Sequence, residues 1–202
     1  MRHKNAISYY YYYYLFSDKV FPVLDVLRIG VKTQAVSATF CQSPSFLAYL
    51  LQQLQPSAPP ANSMLALRIL TNLFSQPEGV TFLTQNNTQI MEAVTSCSSV
   101  STKNAQIAQS SVVLNYAVNA TKTQDFENKS SCIQAAARLV KAEGVDGEAT
   151  FRLLVALGTM VHGDEMSQAV FQSLNITDTL RLVKDRAQVN KVSDVAAMLI
   201  AL

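Results

Sequence analysis

The chain has few of the residues on which most enzyme sites depend. It contains two histidines among 202 residues, His3 near the start and His162. Because His162 precedes Gly163 and Asp164 at an expected helix end, where a cation interacts favourably with the last carbonyl groups, we expect it to have a capping or surface role. There are only six glycines and none of the GxSxG, Walker-type or GxGxxG motifs. We therefore expect no enzymatic activity and no cofactor.

Cysteine is also scarce, and tryptophan is absent. Cys41, Cys97 and Cys132 are widely spaced, odd in number and without a CxxC pair, so neither a disulfide framework nor a metal site is indicated. Each lies in a helical pattern beside small or apolar residues, where inert packing is the usual role of cysteine. A reducing compartment fits this usage, and we expect a cytoplasmic location, with the nucleus as a second.

Charge is sparse and nearly balanced. Charged residues make up 15% of the chain and the formal net charge is +2, well below the excess typical of nucleic-acid-binding surfaces. No apolar run approaches the ~20 residues needed to span a bilayer, and no helical pattern carries lysines and arginines along its polar side. We expect neither nucleic acid nor membrane as a partner, so electrostatic recognition requires a local cluster.

The first residues differ from the rest. Arg2, His3 and Lys4 precede six tyrosines at positions 9–14, which imitates a signal peptide but lacks an aliphatic centre and a small-residue cleavage pattern. We predict that residues 1–18 lie outside the domain, as a disordered segment or a gene-model artefact, and that residues 19–202 form one domain.

From about Val20 onward, apolar residues recur at helical spacing between short clusters of Pro, Gly, Asn or Ser, and strand-like alternation is scarce. The stretch around Pro77 and Gly79 is predicted to be a loop. About ten helices are predicted, over residues 22–31, 43–54, 62–74, 88–97, 103–120, 128–142, 148–161, 165–174, 178–186 and 192–202.

Similar segments recur about every 40 residues. Arg28 and Arg68 are 40 residues apart, Asn72 and Asn115 are 43 apart, and Arg152 follows Arg68 by two steps of 42. Helical repeats of ~40–47 residues belong to the armadillo and HEAT class, in which neighbouring units stack to bury their apolar faces. The sequence therefore predicts an all-α, armadillo-like helical repeat solenoid of about ten helices.

Three arginines lie inside strongly apolar helical segments: Arg28, Arg68 and Arg152. An unpaired cation is costly to bury there, and equivalent positions of successive repeats line one wall of a solenoid. A stripe of guanidinium groups on one wall suits a carboxylate-rich or C-terminal peptide. The alternative is that each side chain extends to solvent along its helix or caps a neighbouring carbonyl.

Asparagines accompany these arginines. Asn72 follows Arg68 by four residues and so shares its helix face; Asn115 lies one repeat later and Asn119 one turn beyond. A side-chain amide offers both a donor and an acceptor, which suits the main chain of an extended peptide. The alternative is a buried amide that joins two helices.

Four segments resemble the PUL domain, the C-terminal module of phospholipase A-2-activating proteins: FPVLDVLRIGVK (21–32), LALRILTNLF (65–74), LNYAV (114–118) and ATFRLLVALGT (149–159). The resemblance extends over residues 19–202. It implies an armadillo-like solenoid whose basic concave groove binds the C-terminal tail of the AAA+ ATPase valosin-containing protein. The WD40 and ubiquitin-binding PFU regions of that family match no part of this sequence, so any link to ubiquitin is expected to be indirect.

On this resemblance the partner-binding residues are Arg28 and Arg152, which lie in matching motifs, followed by Arg68, Asn72 and Asn115. The expected function is a protein-binding adaptor in ubiquitin-dependent turnover and sorting. Two alternatives stay open: an architectural repeat scaffold, and a lipid-pathway factor of the kind that the family name suggests. Only the adaptor requires affinity for a short acidic C-terminal peptide.

Overall fold

The computed structural model describes residues 20–97, 100–142 and 144–202, and the regular elements in these ranges are all helices. The all-α prediction is confirmed, although the predicted count of ten falls two short within these ranges. The predicted segment 1–18, with its tyrosines and its boundary at residue 19, lies outside the described residues. The helices are α1 (Val20–Gly30), α2 (Gln34–Cys41), α3 (Phe46–Gln52), α4 (Pro60–Leu73), α5 (Pro77–Gln85), α6 (Asn87–Ser96), α7 (Lys103–Thr123), α8 (Phe126–Val140), α9 (Gly147–Val161), α10 (Glu165–Ser173), α11 (Thr177–Arg186) and α12 (Asn190–Ile200).

The helices stack in two layers, as a repeat solenoid requires. In the first layer α1 packs on α4, α4 on α7, α7 on α9, and α9 on α12. In the second layer α2 packs on α5, α5 on α6, α6 on α8, and α8 on α10. None of the helices in the described ranges is both long enough and apolar enough to cross a bilayer.

One continuous apolar core runs between the layers, from Leu24 in α1 to Leu199 in α12. Tyr116 of α7 is its largest fully buried side chain. Its ring packs edge-on against Phe74, with centroids 4.9 Å apart, and its hydroxyl donates to the main-chain oxygen of Leu83 in α5 at 2.9 Å. Tyr116 therefore joins neighbouring repeats while its single polar atom keeps a partner, as burial demands.

The prediction of a loop around Pro77 and Gly79 is wrong, because these residues begin helix α5. Pro77 stands in the first turn, where its missing N–H is not needed. Gly79 is buried, and a Cβ at this position would lie 2.1 Å from the main-chain oxygen of Leu73. The glycine thus permits α5 to approach the end of α4. In the sequence, a glycine two residues after a proline is instead typical of a turn.

Helix α2 was not predicted from the sequence. Its segment, QAVSATFC, mixes small polar and apolar residues, and Ser37 is the one residue of this helix that is buried. A helix of eight residues with so weak an apolar stripe gives little periodic signal. It is held by packing against α5 and α3.

We expect Gly79→Ala to lower the free energy of unfolding by at least about 2 kcal/mol, because the added methyl group overlaps main-chain rather than side-chain atoms. Urea unfolding measures the loss. Gly158→Ala is the matched control: Gly158 lies inside α9, and a Cβ added there would meet no atom within 4 Å, so alanine should stabilise by up to about 1 kcal/mol. Equal effects of the two substitutions would contradict the close approach at Gly79.

An ion pair joins α8 to the start of α10. The ammonium group of Lys129, whose side chain is 8% exposed, lies 2.6 Å from a carboxylate oxygen of Asp164. The other oxygen of Asp164 accepts the main-chain N–H of Ser167 and so caps α10. These two hydrogen bonds, that from Lys129 foremost, lower the pKa of Asp164 to about 2.

Acid should remove the contribution of this pair to stability. Since the folded-state pKa of Asp164 lies below the ordinary 3.8, the ionised carboxylate stabilises the fold above about pH 4, and this stabilisation is lost as the pH falls towards 2. Asp164→Asn, which retains a capping side chain, should cost about 2 kcal/mol at neutral pH. Urea unfolding at about pH 5.5 and about pH 3 compares the free energies of unfolding of the unmodified chain and the Asp164→Asn variant. The difference between them should be smaller at the lower pH; a constant difference would contradict this account.

Candidate functional site

The asparagines singled out in the sequence lie where successive helices of the first layer meet. The Asn72 amide donates from Nδ2 to the main-chain oxygen of Arg28 in α1 at 2.6 Å, and the Asn115 amide donates to the main-chain oxygen of Thr71 in α4 at 3.3 Å. Both bonds join residues 44 apart, in agreement with the predicted repeat. Arg28 and Thr71 belong to the last turns of their helices, where carbonyl groups lack intrahelical partners.

The two interpretations of these asparagines are therefore compatible. The –NH₂ groups of Asn72 and Asn115 join helices, whereas within the described ranges no donor reaches their Oδ1 atoms. Both residues are half-buried and line the cleft described below, and neither oxygen belongs to the buried side-chain atoms that lack a partner. An acceptor in that position suits the N–H groups of another main chain.

Asn72 and Asn115 face an open cleft of about 560 Å³, together with Asn119, whose amide donates to the Thr84 hydroxyl of α5 at 3.4 Å. This α4–α7 cleft lies between the end of α4, the start of α5 and the second half of α7. It is lined by Thr71, Asn72, Phe74, Ser75, Val80, Asn115, Val118, Asn119 and Lys122. Amides, hydroxyls and the half-exposed Val118 thus share one concave surface.

Lys122 is the cation of this cleft, and it was not singled out in the sequence. It is exposed in the last turn of α7 and forms no ion pair with any residue that the structure describes. Helical spacing carried the signal, because Lys122 lies two turns after Asn115 and hence on the same face of the helix.

The three arginines lie on α1, α4 and α9 of the first layer, outside the cleft lining. Arg28 donates from Nε and Nη2 to one oxygen of Asp25, at 2.9 and 2.7 Å. The side chain of Arg68, half-buried one turn before Asn72, forms no ion pair or hydrogen bond with a described residue. The structure therefore brings the asparagines together in the cleft and places Arg28 and Arg68 beside it.

Arg152 lies on the same surface, where α9 meets α7. It donates to Glu148 at 3.1 Å and to the hydroxyl of Ser111, which lies one turn before Asn115 on α7. The second carboxylate oxygen of Glu148 accepts Lys191 of α12 at 2.9 Å, and the Lys191 ammonium lies 4.2 Å from the centre of the Phe151 ring. These hydrogen bonds, from Lys191 first and Arg152 second, lower the pKa of Glu148.

Positive charge exceeds negative charge along this surface. Arg28, Arg68, Lys122, Arg152 and Lys191 supply five cations, while three carboxylates lie on the same helices, those of Asp25, Glu148 and the exposed Asp194; a further pair, Lys103 with Asp146, adds no net charge. We call this surface the ladder face, defined by the five cations with Asn72, Asn115 and Asn119.

The three cysteines lie away from the ladder face. Cys97 and Cys132 are buried and Cys41 is half-buried. Burial raises the pKa of the Cys132 thiol to about 12 and also raises the pKa of the Cys41 thiol. Protonated, buried thiols are poor nucleophiles, as expected for cysteines that serve in packing.

Comparison with known proteins identifies the family. The model of the PUL domain matches residues 13–198. This chain belongs to the PUL domain family. It is 35% identical over 186 residues to phospholipase A-2-activating protein of Xenopus laevis, a match that covers 91% of this chain and 23% of that protein. The chain thus spans about a quarter of the length of this relative, and its family membership supports a protein-interaction role.

The segments by which the sequence resembles PUL domains share one structural location. Residues 21–32, 65–74, 114–118 and 149–159 fall on or at the ends of α1, α4, α7 and α9, four successive helices of the first layer. These segments carry five of the eight residues that define the ladder face, Arg28, Arg68, Asn72, Asn115 and Arg152.

We expect Asn72→Ala to lower the free energy of unfolding by about 1 kcal/mol, because the Arg28 carbonyl loses its side-chain donor at 2.6 Å. Asn119→Ala should cost less than half as much, since its amide lies 3.4 Å from the Thr84 hydroxyl, beyond the usual length of a hydrogen bond. Chemical unfolding of both variants checks the order. A smaller loss for Asn72→Ala than for Asn119→Ala would show that the inter-helix bond contributes little.

Proposed function

We propose that this PUL domain is a protein-binding adaptor without catalytic activity, which holds the C-terminal tail of the AAA+ ATPase valosin-containing protein on its ladder face. The observation that carries the proposal is the coincidence of open amide oxygens and excess positive charge on successive helices of one layer. The choice of partner rests on membership of the PUL family.

The asparagines are proposed to hold the main chain of the tail. The Oδ1 atoms of Asn72, Asn115 and Asn119 accept N–H groups of an extended segment, an interaction that does not depend on side-chain identity. A cleft of about 560 Å³ accommodates a short stretch of peptide. Because the –NH₂ groups are already bound to the protein, the amides are held in place before the ligand arrives, which reduces the entropic cost of binding.

The cations are proposed to select an acidic tail that ends in a free carboxylate. Arg28 and Arg152 supply guanidinium groups, which bind carboxylates through paired hydrogen bonds. Arg68 and Lys122 add charge on either side of the asparagines. Such binding weakens as salt is added, because most of these groups are partly exposed.

The cellular setting follows from this partner. We propose that the domain acts in the cytoplasm and the nucleus, in ubiquitin-dependent protein turnover and sorting, with ubiquitin bound elsewhere. Cys41, Cys97 and Cys132 form no disulfide in the part of the chain that the structure describes, which fits a reducing compartment.

We expect a fluorescently labelled C-terminal peptide of valosin-containing protein to bind the full chain saturably in an anisotropy titration. Arg28→Ala and Arg152→Ala should each weaken binding by about tenfold, the loss typical of a charge-assisted hydrogen bond, while helical circular dichroism is retained.

Arg181→Ala is the matched control for Arg28→Ala. Arg181 pairs with Asp178 three residues earlier at 2.7 Å, as Arg28 does with Asp25, but it lies on α11, outside the first layer. The Arg181→Ala variant should bind the peptide as tightly as the unmodified chain does. Absence of binding by the folded chain, or equal losses in all three variants, would overturn the proposal and favour an architectural scaffold.

A further inference from the structure

Two arginines of the ladder face each contact a carboxylate that lies one turn earlier on the same helix. In α1, one oxygen of Asp25 accepts both Nε and Nη2 of Arg28, at 2.9 and 2.7 Å. In α9, Glu148 accepts Nε of Arg152 at 3.1 Å and the ammonium group of Lys191 at 2.9 Å. The groups best suited to receive a ligand carboxylate therefore already have carboxylate partners.

These internal pairs use part of the hydrogen-bonding capacity of the two arginines. A carboxylate binds a guanidinium most strongly through two adjacent N–H groups. The Nε–Nη2 edge of Arg28 is occupied by Asp25, while Arg152 uses Nε for Glu148 and Nη1 for Ser111. A ligand that takes the Nε edge of either arginine has to displace its internal carboxylate, and one that binds Arg28 at the open Nη1–Nη2 edge lies beside the like charge of Asp25.

The internal pairs are weak enough to be exchanged. Asp25 is 46% exposed and Glu148 34% exposed, and ion pairs at such positions contribute little to folding stability. Arg152 also contacts Ser111, and Arg28, whose polar side-chain partner among the described residues is Asp25, is half-buried against its helix. Removal of either carboxylate should leave the fold intact and the arginines in place.

We propose that Asp25 and Glu148 act as built-in competitors for the ligand, occupying Arg28 and Arg152 and so limiting the affinity of the ladder face for acidic peptides. The inference rests on the proposed function. It has a consequence for specificity: a single acidic side chain gains little by exchanging with Asp25 or Glu148. A peptide whose main chain also forms hydrogen bonds with the asparagines gains more binding free energy than the loss of the internal ion pair costs.

Glu148 should be the stronger competitor. It neutralises two cations, Arg152 and Lys191, whereas Asp25 contacts Arg28 alone. Replacing Glu148 by glutamine removes the charge and keeps an oxygen that can accept from Arg152. If instead Glu148 served chiefly to position Arg152, loss of its charge would weaken binding.

The test is an anisotropy titration of the full chain and its variants with two labelled probes, the valosin-containing protein tail peptide and a hexaglutamate peptide. We expect Glu148→Gln to tighten binding about fivefold and Asp25→Asn about threefold, the size expected for loss of competition by exposed ion pairs. Both gains should shrink at high salt. Asp178→Asn, which frees Arg181 on α11, is the matched control and should leave binding unchanged.

The outcomes separate the inference from the proposed function. If the unmodified chain binds the tail peptide but Glu148→Gln and Asp25→Asn bind it equally well or more weakly, the competitor role is overturned and the function stands. If the tail peptide does not bind while hexaglutamate binds and is tightened by Glu148→Gln, the partner is wrong and the competitor role stands. Absence of binding by both probes to all folded variants overturns both.

Discussion

The register between successive repeats depends on hydrogen bonds from side-chain amides to carbonyl groups at the ends of neighbouring helices. The last carbonyls of an α-helix have no intrahelical partner, and leaving them buried without one is costly. In this protein Asn72 donates to Arg28 and Asn115 to Thr71, while Gln76 donates to the main-chain oxygen of Lys32 just beyond α1. Each bond joins residues 44 apart, so it fixes how one repeat lies against the next.

This constraint explains why a stability feature and a binding feature occupy the same residues. A planar amide that donates from Nδ2 to the preceding helix keeps its oxygen as a separate acceptor, and both Asn72 and Asn115 line the cleft. The apolar core behind, represented by Tyr116 and Phe74, keeps the helices close enough for these bonds to form. The acceptors of the cleft are thus held in position by the same contacts that stabilise the solenoid.

Charge on the ladder face is arranged at two levels. Within a helix, Asp25 and Glu148 lie one turn before their arginines, a spacing that favours a weak local pair. Between helices, the Ser111 hydroxyl accepts a hydrogen bond from Arg152, and Glu148 accepts one from Lys191. These bonds join α7, α9 and α12 into one surface. The net charge of only +2 for the whole chain therefore hides a local excess of cations.

The sequence by itself determined the all-α class, the repeat of about 40 residues, the PUL family and the helices that carry Arg28, Arg68, Asn72, Asn115 and Arg152, because helical periodicity and spacing are local properties of the chain. The prediction of a loop at Gly79 was wrong, because the role of this glycine depends on the nearby Leu73 carbonyl. Helix α2 was missed because its apolar stripe is weak. Only the tertiary structure decided that Lys122 shares a cleft with three asparagines, that Arg152 meets Ser111, and that Glu148 contacts Lys191. Spacing along a helix fixes which side chains share a face, but contacts between helices depend on how the helices pack, and that is set by the whole core.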